Sequence, residues 1–397
     1  MSVLSDRILN LSESQTIAMS RKSREMKEQG IDVISLSLGE PDFSTPDFIK
    51  DAAKEGIDQN FTYYPPIPGY KDLRDAICAK FKRDNNLSFE ADQIVVSTGA
   101  KQSIANAVLC TINPGDEVLL PAPYWVSYYE IVRLAGGVPI VIPTSIETDF
   151  KLSAEALSKH ITDKTKMLIY SSPCNPSGSV YTHEELEGLA KVIAKHKNLL
   201  VIADEIYELI NFVGKHHSLA SFEEIKEQVI TINGVSKGFS MTGWRLGYLA
   251  ASKEIAQACT KMQGQFTSAT SGITQRAALA AMKADPAEVS YMKDAFLKRR
   301  DLVLKHLKGI EGFEANTPKG AFYVFPKVTS LFGKHYGDYH INNSSDLCMY
   351  LLEEAHVALV SGDAFGSPNC LRISYATSEE TLTEAFTRIA EAVTKLN

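Results

Sequence analysis

The stretch 233–247, NGVSKGFSMTGWRLG, follows an apolar run and sets one lysine, Lys237, among small residues. A lysine must be neutral to attack an aldehyde, and burial or nearby positive charge lowers its pKa enough for that. Arg245, eight positions on, has the planar fork that suits bidentate contact with a phosphate. Alone, such a lysine is an ordinary loop residue, so its partners decide the reading. Asp204 ends the apolar run LLVIAD at 199–204. A buried carboxylate there needs a cation, and a protonated ring nitrogen would serve. Tyr207, three residues on, could donate to a phenolic oxygen on the same ring.

Three further segments also follow apolar runs. SSPCNPSG at 171–178 is turn chemistry, and Asn175 in it could donate to that ring oxygen. STGAKQ at 97–102 opens a helix, where the small Gly99 and Ala100 let backbone N–H groups near Lys101 approach a phosphate. Trp125, in PAPYW at 121–125, could stack on a planar ring or simply be core. In CLRISY at 370–375, alternation places Arg372 with Ser374 on one face and Leu371, Ile373 and Tyr375 on the other. An inward-facing arginine on a strand usually binds something planar and anionic.

The elements that must position these residues are legible as a pattern. Apolar runs at 94–96, 118–120, 138–142, 167–170, 199–203, 229–232 and 246–250 read as buried strands. Between two of them, 182–196 reads as a helix, with Thr182 and Glu185 as a capping box and an apolar face through Leu186, Leu189, Ala190 and Ile193. The alternation predicts an α/β domain with a mostly parallel seven-stranded sheet between helices, and ligands beyond the strand C-termini. The last hundred residues look different. Helices at 347–354 and 378–396 with strands at 357–360 and 371–375 make a smaller α+β unit, and Pro286 with the charged helix at 294–308 marks the boundary. The run at 33–38 could pair with either unit.

A formal charge of −7 argues against a nucleic-acid footprint, which needs a clustered basic face. Six scattered cysteines without CxxC spacing read as reduced thiols, and no metal site is expected. The N-terminal residues lack an apolar signal core and no run is long enough to span a bilayer, so a cytoplasmic protein is expected. No G-x-G-x-x-G follows the first strand of a βαβ unit, which leaves a nicotinamide dehydrogenase without support. The length also leaves no room for an appended DNA-binding module.

In this order and spacing, the segments resemble the fold-type I pyridoxal-phosphate enzymes, specifically the class I/II aminotransferases. The match runs from SLSLGEPDF at 35–43 to Arg372 and beyond. The resemblance implies pyridoxal 5′-phosphate as cofactor, held covalently by Lys237, which then moves the proton. It implies Asp204 at the ring nitrogen, Asn175 and Tyr207 at the phenolic oxygen, and Trp125 stacked on the ring. Arg245 with the backbone of Gly99, Ala100 and Lys101 would bind phosphate, and Arg372 would grip the substrate α-carboxylate beside Gly39 and Asn175. Tyr64, in YYPPIPG at 63–69, matches a tyrosine that reaches the phosphate of the neighbouring subunit, which implies a homodimer with shared sites. Family architecture divides the chain into a small domain from 1–45 and 287–397 and a large cofactor-binding domain at 46–286.

Within the family the chain is most similar to the bacterial and plastid-type aspartate aminotransferases, through the segments around Lys101, Trp125, Lys237 and 362–366. There Lys101, helped by the 14–16 segment with Thr16, takes the distal carboxylate. The implied reaction moves an amino group from L-aspartate or L-glutamate to a 2-oxo acid such as 2-oxoglutarate by a ping-pong route. Some members of the subgroup also convert prephenate to arogenate, and a β-lyase would use the same lysine. The chain departs from the pattern at Gly234, where many relatives carry a phosphate-binding serine, and Ser236 is the expected substitute. Ser177 stands for the commoner threonine in the turn after Asn175.

Overall fold

The computed structural model describes residues 3–397. All seven expected runs are strands of one sheet: β1 (Ile94–Ser97), β2 (Glu117–Ala122), β3 (Val138–Pro143), β4 (Thr165–Ser171), β5 (Leu200–Asp204), β6 (Val229–Gly234) and β7 (Gly247–Ala250). Their spatial order is β1-β7-β6-β5-β4-β2-β3, parallel except that β7 runs against both its neighbours. The near-continuous apolar runs have a simple cause. Both faces of the sheet are covered, so successive residues are buried on opposite sides. Ile94, Val96, Leu119, Leu168 and Val201 belong to one apolar cluster, while Val95, Val118, Leu120, Ile169 and Ile202 belong to the other.

Helix α1 (Ala100–Thr111) follows β1, α2 (Ser127–Leu134) follows β2, and α3 (His183–Ile193) fills the crossover from β4 to β5. Helix α3 starts as its sequence specifies. Glu185 N donates to Thr182 Oγ1 at 3.2 Å, and Thr182 N donates back to Glu185 Oε2 at 2.8 Å. Helix α4 (Lys253–Phe266) packs on α1, with Asn106 and Gln263 hydrogen-bonded across that contact. None of the helices among the described residues is long and apolar enough to cross a membrane.

The C-terminal unit holds a three-stranded antiparallel sheet of β8 (Tyr323–Val324), β9 (Val360–Ser361) and β10 (Leu371–Ser374), with β10 in the middle. The expected strand at 357–360 is in fact two. Val357–Ala358 pairs in parallel with Ile34–Ser35, and β9 turns away to pair with β10. The run from Val357 to Val360 is apolar and buried throughout, so it hid the break. The early strand therefore joins the C-terminal unit, and Ser374 N donates to Leu36 O at 2.9 Å to fasten it there.

Candidate active site

Five parallel strands end at the same edge of the sheet, and their ends deliver the chemistry. Lys101 follows β1, Trp125 follows β2, Asn175 follows β4, Tyr207 follows Asp204 on β5, and Lys237 follows β6. Because β7 runs the other way, its start lies at this edge, and Arg245 just before it arrives beside them. Together with Thr16, Gly39, Ala100, Ser236 and Arg372, these residues line one cleft of about 310 Å³. Tyr64 does not: it is 97% exposed and stands outside the cleft of its own chain. Gly99 borders the cleft at φ +89°, where a Cβ would lie 2.3 Å from Arg245 Nη2. Only glycine lets the guanidinium lie against the turn that opens α1, whose first N–H groups have no partner inside the helix.

Lys237 Nζ donates to the Gly39 carbonyl at 2.5 Å. Burial pushes its pKa down to about 8; Arg372 and Arg245 add to the drop, and Glu40 opposes it. The sign is that of a cation held where charge is disfavoured: the neutral amine is reached at lower pH than on an ordinary lysine. Capture of an aromatic aldehyde by the protein without cofactor is therefore expected to speed up about tenfold per pH unit below pH 8 and level off above it. Borohydride trapping and peptide mapping at each pH would follow it, and a rate still climbing tenfold per unit at pH 10 would contradict it.

Asp204 is 5% exposed, and burial pushes its pKa up to about 6. Tyr128 Oη donates to its Oδ2 at 2.5 Å and Ile206 N to its Oδ1 at 3.3 Å. Sequence reasoning missed Tyr128, because in SYYEIVRL its ring looks like ordinary helix core. Asp204 forms no ion pair among the described residues, so the carboxylate suits a protonated heterocycle.

Arg372 is 2% exposed and also has no carboxylate partner among the described residues. Its Nη1 donates to Asn175 Oδ1 at 3.0 Å and its Nη2 to Ser37 O at 2.5 Å, while its Nε has no partner. The guanidinium lies between the rings of Tyr323 and Phe365, at 4.7 and 5.0 Å from their centroids. Lys101 Nζ sits 4.9 Å from the Trp125 ring centroid, and burial, with Arg245 nearby, lowers its pKa. Four cations thus line a cleft whose one acid among the described residues is Asp204, with Glu40 nearby hydrogen-bonded to Thr242. An electropositive, largely buried cleft of this kind accepts anionic ligands at several points.

Ser236 lines the cleft and is buried. Gly234 has a structural reason to be glycine: a Cβ there would lie 2.8 Å from Gly247 Cα, its neighbour on β7. Behind the site, Glu205, Glu208 and His216 bring carboxylate and imidazole atoms within 4.8 Å of one another. The Lys80 ammonium already pairs with Glu208 there, and Asn85 Nδ2 donates to the same carboxylate at 2.9 Å. The six cysteines are all free thiols.

Residues 31–389 match the model of the aminotransferase class I and II family. A probable aspartate/prephenate aminotransferase from Rickettsia bellii is 48% identical over 99% of this chain and 99% of its own. Among solved structures, the aspartate aminotransferase from Rhizobium meliloti superposes with a TM-score of 0.97 at 39% identity, covering all of both chains. The aspartate aminotransferase from Thermus thermophilus, solved with maleate, gives 0.92 at 38% identity over 99% of this chain and all of that one. The chain belongs to the class I and II aminotransferases.

Proposed function

We propose that the protein transfers the amino group of L-aspartate or L-glutamate to a 2-oxo acid such as 2-oxoglutarate, with pyridoxal 5′-phosphate as cofactor. The observation that carries this reading is a buried lysine of lowered basicity that shares one cleft with two cations without carboxylate partners, Arg372 and Lys101. The residues fit the cofactor. Asp204 would hold the ring nitrogen, Tyr207 and Asn175 the phenolic oxygen, and Trp125 the ring face. Arg245, Ser236 and the turn of Gly99, Ala100 and Lys101 would hold the phosphate. When bound, the cofactor supplies an electron sink for charge developing at the substrate α-carbon.

Around it, the chain's own groups orient and move protons. Arg372 receives the α-carboxylate in bidentate fashion, with Asn175 and Gly39 at its side. Lys237, near neutrality in basicity, takes the α-proton and returns it one position away. The Gly39 carbonyl, within hydrogen-bond reach of Nζ, holds the amine over the cleft. Lys101, beside Thr16, receives the distal carboxylate of a four- or five-carbon diacid. The two half-reactions share this machinery, so donor and acceptor bind in turn.

The site is proposed to be completed in a homodimer. Tyr64 and its neighbour Tyr63, 81% exposed, project from the loop before the helix Lys71–Lys80 with little of their own chain to cover them, which suits delivery of Tyr64 to a partner's phosphate. Prephenate is a second acceptor reading, favoured by the name of the Rickettsia relative and by the opening of the cleft onto Thr16 and Ile17. A panel of aspartate or glutamate against oxaloacetate, 2-oxoglutarate, prephenate and phenylpyruvate separates these readings. No turnover with either diacid pair would refute the proposed activity. Lys101→Met is expected to lower kcat/KM for 2-oxoglutarate about 10- to 100-fold while leaving phenylpyruvate within about threefold. An equal loss on both acceptors would remove Lys101 from distal-carboxylate recognition.

A further inference from the structure

Tyr323 has no role in the assignments above, yet three parts of the site meet at its hydroxyl. The side chain is fully buried on β8, where Tyr323 pairs with Ser374 of β10. Arg372 lies two residues before Ser374 on the same strand, so the two side chains share a face as diagonal neighbours. That places the guanidinium 4.7 Å from the Tyr323 ring centroid. The Tyr323 Oη lies 2.7 Å from Tyr207 Oη, which belongs to the other unit. It also abuts Gly39, where a Cβ would lie 2.2 Å from it, and the Gly39 carbonyl holds Lys237 Nζ.

A phenol has one proton to give and two lone pairs, so only one member of the Tyr207–Tyr323 pair donates in their bond. Burial raises both phenols and the Arg372 cation opposes the rise at both; at Tyr323, whose ring it lies against, it is the main force against that rise. The Arg372 guanidinium lies against the Tyr323 ring, and a cation beside a phenol makes its hydroxyl the better donor, which favours Tyr323 as donor and Tyr207 as acceptor. The proton of Tyr207 is then left for a third atom in the cleft.

We propose that Tyr323 is a positioning residue whose hydroxyl, by donating to Tyr207, commits the proton of Tyr207 to the cofactor's phenolic oxygen and ties that bond to the arginine that receives the substrate carboxylate. The inference rests on the cofactor and carboxylate sites proposed above. It adds a route between them, separate from the direct Arg372–Asn175 bond, that runs through a residue of neither. A carboxylate arriving at Arg372 neutralises the charge that biases the pair, so ligand binding loosens the Tyr207 bond and changes the ease with which the bound cofactor titrates.

The test compares the holoenzyme with Tyr323→Phe and Tyr323→Leu, reading the pH titration of the bound cofactor's absorbance with and without maleate as a non-reacting dicarboxylate. In Tyr323→Phe the midpoint without ligand is expected to move by about half a unit or more, and the shift caused by maleate to fall below about half of the parent's. Its kcat should fall about tenfold with KM for aspartate within about threefold, because the ring still supports Arg372. Tyr323→Leu, which removes the ring as well, should raise KM too. In a Tyr207→Phe background the Tyr323→Phe change should leave the midpoint where it is. A Tyr323→Phe enzyme with the parent's midpoint and the parent's maleate shift would overturn the inference. A parent with no borohydride-trapped cofactor on Lys237 would instead overturn the site reading itself.

Discussion

Replacing Lys237 with alanine is expected to cut aspartate:2-oxoglutarate transamination by about 10⁴-fold or more, since a positioned general acid–base alone contributes about 10²- to 10⁴-fold and the proposed covalent attachment is lost as well. Steady-state turnover at saturating substrates measures it, and a variant keeping a hundredth of the parent rate would place the proton transfer elsewhere. Folding gives an independent readout. The folded-state pKa of Lys237 is about 8, below its unfolded value, so the unfolded chain binds more protons between the two. The parent without cofactor therefore loses stability as pH falls from about 10 to about 8, with the full cost present below that. Alanine abolishes this cost. The thermal midpoint of the variant should gain on the parent across that window and hold its gain at lower pH.

Arg372→Leu should lower kcat/KM for aspartate by about 10²- to 10³-fold, the usual consequence of truncating one member of a buried charge pair. The guanidinium is ready for its anion before the anion arrives. Asn175 and Ser37 fix both terminal nitrogens, and the Tyr323 and Phe365 rings hold its plane. Leucine fills much of the space but leaves a carboxylate buried against apolar surface. An amine substrate without an α-carboxylate should lose less than about fivefold, which separates lost recognition from a damaged site. Comparable losses on both substrates would mean that Arg372 serves only to brace the small sheet.

How much of this was legible depends on what each residue type advertises. A doubly covered parallel sheet writes itself as apolar runs, so all seven strands and the residues after them stood out. Arg372 and Asp204 stood out because charge is expensive in such surroundings. Tyr128 and Tyr323 did not: each is an aromatic inside an apolar segment, and only the hydroxyl, invisible to periodicity, reaches the site. The same masking hid the break between Ala358 and Val360, where two strands of different sheets lie end to end with no polar residue between them. The Lys80–Glu208 pair was hidden for another reason. Its members are 128 positions apart, and nothing local marks a lysine on an outer helix as buried.

The reversed strand β7 has a consequence for how the site tolerates change in length. Lys237 and Arg245 are the two ends of a single short connection, anchored on one side by β6 and on the other by β7, which are bonded to each other. That connection works as a caliper, setting the span between the amine proposed to bond the cofactor's aldehyde carbon and the guanidinium proposed to grip its phosphate. Ser236, Thr242 and the left-handed Arg245 backbone, at φ 56°, set its jaws. An insertion between 238 and 244 would keep every site residue in the sequence and still misfit the ligand, because it would shift Arg245 relative to Lys237 and so change the gauge while sparing the parts.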